Sequence, residues 1–68
     1  MKLKINGEVK EFDKELKTIS DLLTELDIKR PELVAVEINK EIIMQSDFAH
    51  TTVKDDDSIE IVSFVGGG

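Results

Sequence analysis

The feature that most constrains the fold of this chain is one apolar stripe at helical spacing. Four aliphatic residues follow the i, i+3, i+4, i+7 pattern of an amphipathic helix: Ile19, Leu22, Leu23 and Leu26. Core packing explains such a stripe better than a binding groove does. A single helix has one apolar face to bury, so it should cover one side of a single sheet.

The ends of this helix carry recognisable signals. Thr18 and Asp21 predict a capping box, in which the Thr18 hydroxyl accepts from the third helical N–H and Asp21 reaches back. Pro31 biases Arg30 away from helical angles, so the helix should end near Asp27.

The first hairpin is predicted from residues 2–5, which alternate polar and apolar, and from the Asn6-Gly7 pair that follows them. A two-residue turn there buries Phe12, whereas a three-residue loop would bury Val9 instead, because a slip of one residue flips the strand. Phe12 is the larger apolar group. We therefore predict the two-residue turn, with Val9 on the outer face.

A second hairpin should follow the helix, because Val34, Val36 and Ile38 alternate and Asn39-Lys40 can turn the chain. That turn places Ile43 on the core face and Ile42 outside.

Residues 45–54 show no clean period, and we expect a short helical turn around residues 46–50 with Phe48 against the core. The three aspartates at 55–57 predict a turn that is strained by adjacent like charges. A calcium loop is the alternative, but the alternating ligand spacing and the distal Glu that it needs are missing.

The order of elements is hairpin, helix, hairpin, short turn and a final strand within residues 58–65. The first and last strands are strongly patterned and should be neighbours at the sheet centre. The predicted fold is α+β, a ubiquitin-like β-grasp with a mixed sheet of about four to five strands on one helix. We assign residues 1–65 to this domain and 66–68 to a flexible glycine-rich tail. The predicted core comprises Leu3, Ile5, Phe12, Ile19, Leu22, Leu23, Leu26, Val36, Ile38, Ile43, Ile59 and Ile61.

Five apolar residues are predicted on the sheet face away from the helix, more than is expected for a face exposed only to solvent: Val9, Ala35, Ile42, Val62 and Phe64. A contiguous patch of this kind marks a docking surface. Val62, Phe64 and Ile42 are the residues we expect a partner to contact. Scattered exposed apolar residues are the alternative explanation.

Composition excludes several classes of function. Fifteen acidic and nine basic residues give a net charge of −6, which argues against nucleic acid and against anionic membranes as partners. Without cysteine the chain forms no disulfide and no thiolate metal site, and His50 alone cannot build a metal site. No signal peptide or membrane-spanning run is evident, so we expect a cytoplasmic protein.

The sequence ends in Gly66-Gly67-Gly68. Glycine lacks a Cβ, so this tail should be thin and flexible enough to enter a narrow channel in another protein. The terminal carboxylate is then a candidate reacting group. A frayed terminus or an expression artefact is the alternative.

Four stretches in this order resemble the ThiS family of sulfur carriers in thiamine biosynthesis: residues 5–8, 18–26, 34–39 and 59–62 running into the final glycines. The resemblance covers essentially the whole chain. Two departures occur. Residues 55–57 are Asp-Asp-Asp where the family often has Asp-Gly-Asp, so Asp56 should take the left-handed turn position. Residues 43–45 are Ile-Met-Gln where the family often has Val-Pro-Arg.

The resemblance implies a carrier with no catalytic groups and no bound cofactor. An adenylyltransferase related to ubiquitin-activating enzymes would use ATP to adenylate the Gly68 carboxylate. A persulfide, supplied by a cysteine desulfurase-type donor, would convert Gly68 to a thiocarboxylate. Thiazole synthase would then take the sulfur. Gly66 and Gly67 would give the tail access to the adenylation site.

Three other functions fit the same features. A sulfur carrier for molybdenum cofactor has the same fold and ending, but such subunits are usually somewhat longer. A protein modifier conjugated to lysines is a second possibility, and a pure interaction domain with a dispensable tail is a third. A hydrolase or oxidoreductase is disfavoured, because nothing in the sequence pairs a nucleophile with a base.

Overall fold

The computed structural model describes residues 1–64. The predicted tail therefore lies outside the described residues, and its assignment stays a prediction. The elements run in the order β1 (Lys2–Ile5), β2 (Glu8–Glu11), α1 (Ile19–Glu25), β3 (Val34–Ile38), β4 (Glu41–Ile43) and β5 (Ser58–Ser63), with 3₁₀ turns at Pro31–Leu33 and Gln45–Asp47.

The five strands form one mixed sheet in the order β2-β1-β5-β3-β4. β1 and β5 run parallel, and the other neighbours are antiparallel. The first and last strands thus lie side by side within the sheet, as predicted. α1 covers one face with the apolar stripe, since Ile19, Leu22 and Leu23 are all buried. The β-grasp prediction is confirmed.

Both hairpins close with the predicted two-residue turns. The first turn has positive φ at both central residues, Asn6 (50°) and Gly7 (83°), as a type I′ turn requires. It pairs Ile5 with Glu8. Phe12 is accordingly half-buried against the core, and Val9 is exposed on the opposite face. The two-residue turn is favoured because it buries the Phe12 ring, which is larger than the Val9 side chain that a three-residue loop would bury.

The second hairpin follows the same logic. Asn39 and Lys40 both have positive φ, at 50° and 74°. The turn sets Val36 opposite Ile43, so Ile43 packs against the core while Ile42 points away from it.

The capping box of α1 forms as predicted. The Thr18 hydroxyl accepts from the Asp21 backbone N–H at 3.2 Å, and the Asp21 carboxylate accepts from the Thr18 N–H at 3.2 Å. The helix ends at Glu25, and Asp27 takes a left-handed conformation with φ 62°. The predicted end near Asp27 is therefore correct within two residues.

The core contains ten buried apolar side chains: Leu3, Ile5, Leu16, Ile19, Leu22, Leu23, Val36, Phe48, Val53 and Ile59. Every residue of the predicted core is either in this set or packs against it half-buried, as Phe12, Leu26, Ile38, Ile43 and Ile61 do. Leu16 and Val53 were not predicted. They lie in irregular segments with no periodicity, and a backbone hydrogen bond of 3.0 Å from Val53 N to Lys17 O holds those segments together.

The helical turn before β5 begins one residue earlier than predicted, at Gln45, and Phe48 is buried as expected. The 3₁₀ turn is short, and Phe48 N donates to Gln45 O at 3.1 Å to close it. Phe48 then covers the start of α1, where Ser20 N donates to Phe48 O at 3.1 Å.

The triple-aspartate bend is less strained than its sequence suggests, because its carboxylates have donors. Asp55 Oδ1 accepts from the Lys2 backbone N–H at 2.7 Å, and Asp57 Oδ2 accepts from the Lys54 N–H at 2.8 Å. Asp56 takes the left-handed position with φ 72°, as the resemblance to the family implies.

Asp56→Gly should therefore raise the free energy of unfolding by about 1 kcal/mol, because glycine adopts this φ without the steric penalty of a Cβ. The substitution also removes an exposed ion pair of 3.9 Å between Asp56 and Lys2, which is worth little. Urea denaturation measures the change. Asp55→Gly is the matched control and should destabilise, since it removes the acceptor for the Lys2 N–H. Stabilisation by both variants, or by neither, would contradict the prediction.

Candidate functional site

The two hairpin turns help to hold β5, in addition to its pairing with β1 and β3. Asn6 Oδ1 accepts from Ile61 N at 2.7 Å, and its Nδ2 donates to Ile61 O at 3.2 Å. At the start of the strand, Asn39 Oδ1 accepts from Ser58 N at 3.0 Å. Each turn asparagine thus both adopts a positive φ and holds a backbone group of β5. The register of β5 sets which of its side chains face away from the helix.

We call the sheet face that is turned away from α1 the outer face. Ala35 lies opposite Val62 on neighbouring strands, and Glu37 lies between Glu60 and Ile42 in the next row. Val62, Phe64 and Ile42, the residues predicted for docking, expose between 57% (Val62) and 69% (Ile42) of their surface. The structure thus places all three where a partner could reach them, while the docking itself stays a prediction.

Met44 belongs to the same surface, although the sequence interpretation did not include it. Continuing the β3–β4 register by one residue places Met44 opposite Ala35, in the row that Val62 begins. It is extended and 64% exposed. Met44 is two residues from Ile42, so extending the strand alternation by one residue would have assigned it to the outer face. We define the outer-face patch as Ala35, Ile42, Met44, Val62 and Phe64.

Val9 is exposed on the outer face, as predicted, but it is not contiguous with the outer-face patch. It lies on the edge strand β2 opposite Lys4, and Lys4 in turn lies opposite Ser58 of β5. A charged side chain therefore separates Val9 from the patch. Only register across three strands reveals this separation.

The carboxyl end of β5 leaves the sheet beside the segment that precedes β3. Phe64 N donates to Leu33 O at 2.8 Å, which extends the contact with β3 past the last paired residue. Beyond this point lie Gly66, Gly67 and Gly68, outside the described residues. The assignment of Gly68 as the reacting group therefore stays a prediction.

In residues 1–64 no ionisable side chain is fully buried; most are exposed, and Glu37 and Asp57 are half-buried. Residues 1–64 contain no group of three or more His, Cys, Asp or Glu side chains arranged to hold a metal ion. A hydrogen bond from Arg30 Nε, 2.6 Å from Glu32 Oε2, is the main cause that lowers the pKa of Glu32. This pair lies at the surface. In the same part of the chain, no helix has the length and apolar character to cross a membrane.

Known proteins resemble this chain in both sequence and fold. The model of the ThiS family matches residues 3–68. The sulfur carrier protein ThiS of Bacillus subtilis is 42% identical over 97% of this chain and 98% of its own length. The crystal structure of thiamine biosynthesis protein ThiS from Geobacter metallireducens superposes with a TM-score of 0.85 at 38% identity, covering all of both chains.

Two larger proteins also match. Thiazole synthase of Paramagnetospirillum magneticum is 47% identical over the full length of this chain. Thiazole synthase of Magnetococcus marinus is 38% identical, again over the full length. The chain spans about a fifth (20%) of each of these two relatives.

Proposed function

The chain belongs to the ThiS family, and from that membership we propose that it is a sulfur carrier of thiamine biosynthesis. One observation carries this proposal: the likeness to the Bacillus subtilis sulfur carrier extends over 97% of this chain and 98% of that protein. The agreement includes the fold, since the ThiS structure from Geobacter metallireducens superposes over the whole chain.

The proposed chemistry takes place at the carboxylate of Gly68. A carboxylate is a poor electrophile, so one of its oxygens first attacks the α-phosphorus of ATP, and pyrophosphate leaves. The resulting acyl-adenylate is attacked by the terminal sulfur of a partner's persulfide, which expels AMP and forms an acyl disulfide. A thiol reductant then cleaves the S–S bond and leaves a thiocarboxylate on Gly68. Sulfur is a better nucleophile than the oxygen that it replaced.

The carrier itself acts as a co-substrate and not as an enzyme in this scheme. It binds no cofactor, and ATP is used by a partner adenylyltransferase related to ubiquitin-activating enzymes. A cysteine desulfurase-type protein supplies the persulfide. Thiazole synthase receives the sulfur, and carrier-like sequence within two thiazole synthases supports that partner. We place the reaction in the cytoplasm, where ATP is available.

Mass spectrometry of the intact chain tests the proposal. Incubation with an adenylyltransferase of this family, ATP and a persulfide donor should add the mass difference between sulfur and oxygen, localised to Gly68. Reactions without ATP are the control and should leave the mass unchanged. The thiocarboxylated chain should then support thiazole formation by thiazole synthase. An unchanged mass in the complete reaction would contradict the carrier function.

Docking of the adenylyltransferase is proposed to use the outer-face patch, with Phe64 as an anchor. Phe64→Ala should cost more than about 1 kcal/mol of binding free energy, because exposed aromatic residues often dominate interfaces. Stability should change little, since the ring is 68% exposed and its backbone hydrogen bond to Leu33 remains.

Isothermal titration with the adenylyltransferase and urea denaturation of the chain measure the two quantities. Val9→Ala is the matched control, because Val9 is similarly exposed on the outer face but lies outside the outer-face patch. It should bind like the wild type. Lower stability with unchanged binding in Phe64→Ala would mean that the ring serves the fold.

A further inference from the structure

Two glutamates face each other next to the outer-face patch. Glu37 on β3 and Glu60 on β5 are direct partners in the antiparallel register. Directly opposite residues have Cβ atoms about 4.5–5.5 Å apart, and like charges in this position are destabilising. The arrangement is therefore unfavourable for the isolated chain.

No cation of residues 1–64 forms an ion pair with either glutamate. The ion pairs among residues 1–64 involve other carboxylates, those of Glu8, Glu25, Asp27, Glu32 and Asp56. Lys4, on β1 diagonal to Glu60, forms no ion pair with a described carboxylate. The outer positions of β3, β4 and β5 around the two glutamates are Ala35, Ile42, Ser58 and Val62. None of them carries a positive charge.

We propose that Glu37 and Glu60 together receive one arginine or lysine side chain of the protein that docks on the outer-face patch. A guanidinium has five donors in a planar fork, and it can hydrogen-bond to two neighbouring carboxylates at once. Such a cation would relieve the repulsion between the two carboxylates. The pair is thus a specificity element of the docking surface, in addition to its apolar anchors.

The sheet geometry specifies the partner's surface. The row that contains Glu60, Glu37 and Ile42 lies two residues along the strands from the row of Val62 and Ala35, a distance of about 6.5–7 Å at the usual rise per residue. The partner should therefore carry an apolar pocket for the patch and a cationic side chain about 6.5–7 Å from that pocket. An overall net charge of −6 steers the chain toward a basic surface of this kind.

A second copy of this chain that packed its glutamate pair against the first pair would bring four carboxylates together. Like-charge contacts across an interface suppress wrong partners. The pair thus favours a basic heterologous partner over self-association. The inference rests on the proposed function, and we identify the partner as the adenylyltransferase that modifies the tail.

Glu37→Gln and Glu60→Gln test the inference, with Glu11→Gln as the matched control. Glu11 is exposed on the same outer face and lies opposite Lys2, on the strand pair far from the two glutamates. Each of the three variants removes one negative charge, so all three change the net charge equally. The probe is the purified adenylyltransferase that thiocarboxylates the wild-type chain. Each of the first two variants should bind it about tenfold or more weakly, with a shallower salt dependence. Glu11→Gln should bind like the wild type.

Stability should move in the opposite direction from affinity. Removing one of two facing charges relieves repulsion, so the urea midpoints of Glu37→Gln and Glu60→Gln should equal or exceed that of the wild type. Weaker binding together with a lower midpoint would mean that the glutamates serve the fold, and it would overturn the inference.

The failures of the two proposals are distinguishable. If the wild type is thiocarboxylated and the Glu37 and Glu60 variants bind as well as Glu11→Gln, the cation-binding inference is wrong and the carrier function stands. If the wild type neither binds an adenylyltransferase of this family nor gains sulfur, both proposals are overturned, because the cation-binding inference rests on the carrier function.

Discussion

Replacing Gly67 by valine is expected to abolish thiocarboxylate formation at Gly68 while leaving the urea midpoint unchanged. The reacting carboxylate must pass the walls of a narrow adenylation site, and a branched side chain on the preceding residue would collide with them. The loss should be at least about a hundredfold in rate, since small displacements of a reacting group are that costly. The fold should persist, because the buried core lies within residues 3–59.

Intact-mass measurement in the complete reaction reads out this prediction. Gly66→Ala is the milder control and should still gain sulfur, because its methyl group lies one residue further from the carboxylate. Extending the chain beyond Gly68 by two residues should block the reaction as fully as Gly67→Val does. If the extended chain acquires sulfur without being trimmed, or supports thiazole formation, the carrier function is wrong and a pure interaction domain becomes the better explanation.

Leu23→Ala should lower the free energy of unfolding by about 2–5 kcal/mol, the usual cost of truncating a buried leucine. Leu23 is 2% exposed and packs within the single core cluster between α1 and the sheet. A total stability of about 5–15 kcal/mol is typical of small domains, so the variant should lose a large fraction of it. No second helix can take over this packing, because α1 is the only helix longer than one turn in residues 1–64.

Urea denaturation followed by circular dichroism measures this effect. Thr24→Ala is the matched control, because Thr24 is the next residue of the same helix and its side chain is exposed. It should change stability by less than about 0.5 kcal/mol. A destabilisation in Leu23→Ala no larger than in Thr24→Ala would mean that the apolar stripe does not face the core.

The exposure of the docking residues was predictable, but their arrangement was not. Alternation along each strand assigns Ile42, Val62 and Phe64 to the outer face. It does not state which strands are neighbours. The separation of Val9 from the outer-face patch, and the pairing of Glu37 with Glu60, depend on contacts between residues far apart in the chain. Such contacts have no local sequence signal.

The sequence by itself determined the helix and its cap, the positions of both hairpin turns and the alternation of faces along each strand. These features depend on interactions within a few residues: the spacing of apolar side chains, the φ preference of asparagine and glycine, and the capping box. The tertiary structure alone decided that Leu16 and Val53 are buried, because their segments have no period. It also decided that two glutamates face each other beside an apolar patch, since strand order and register arise only when the whole core packs.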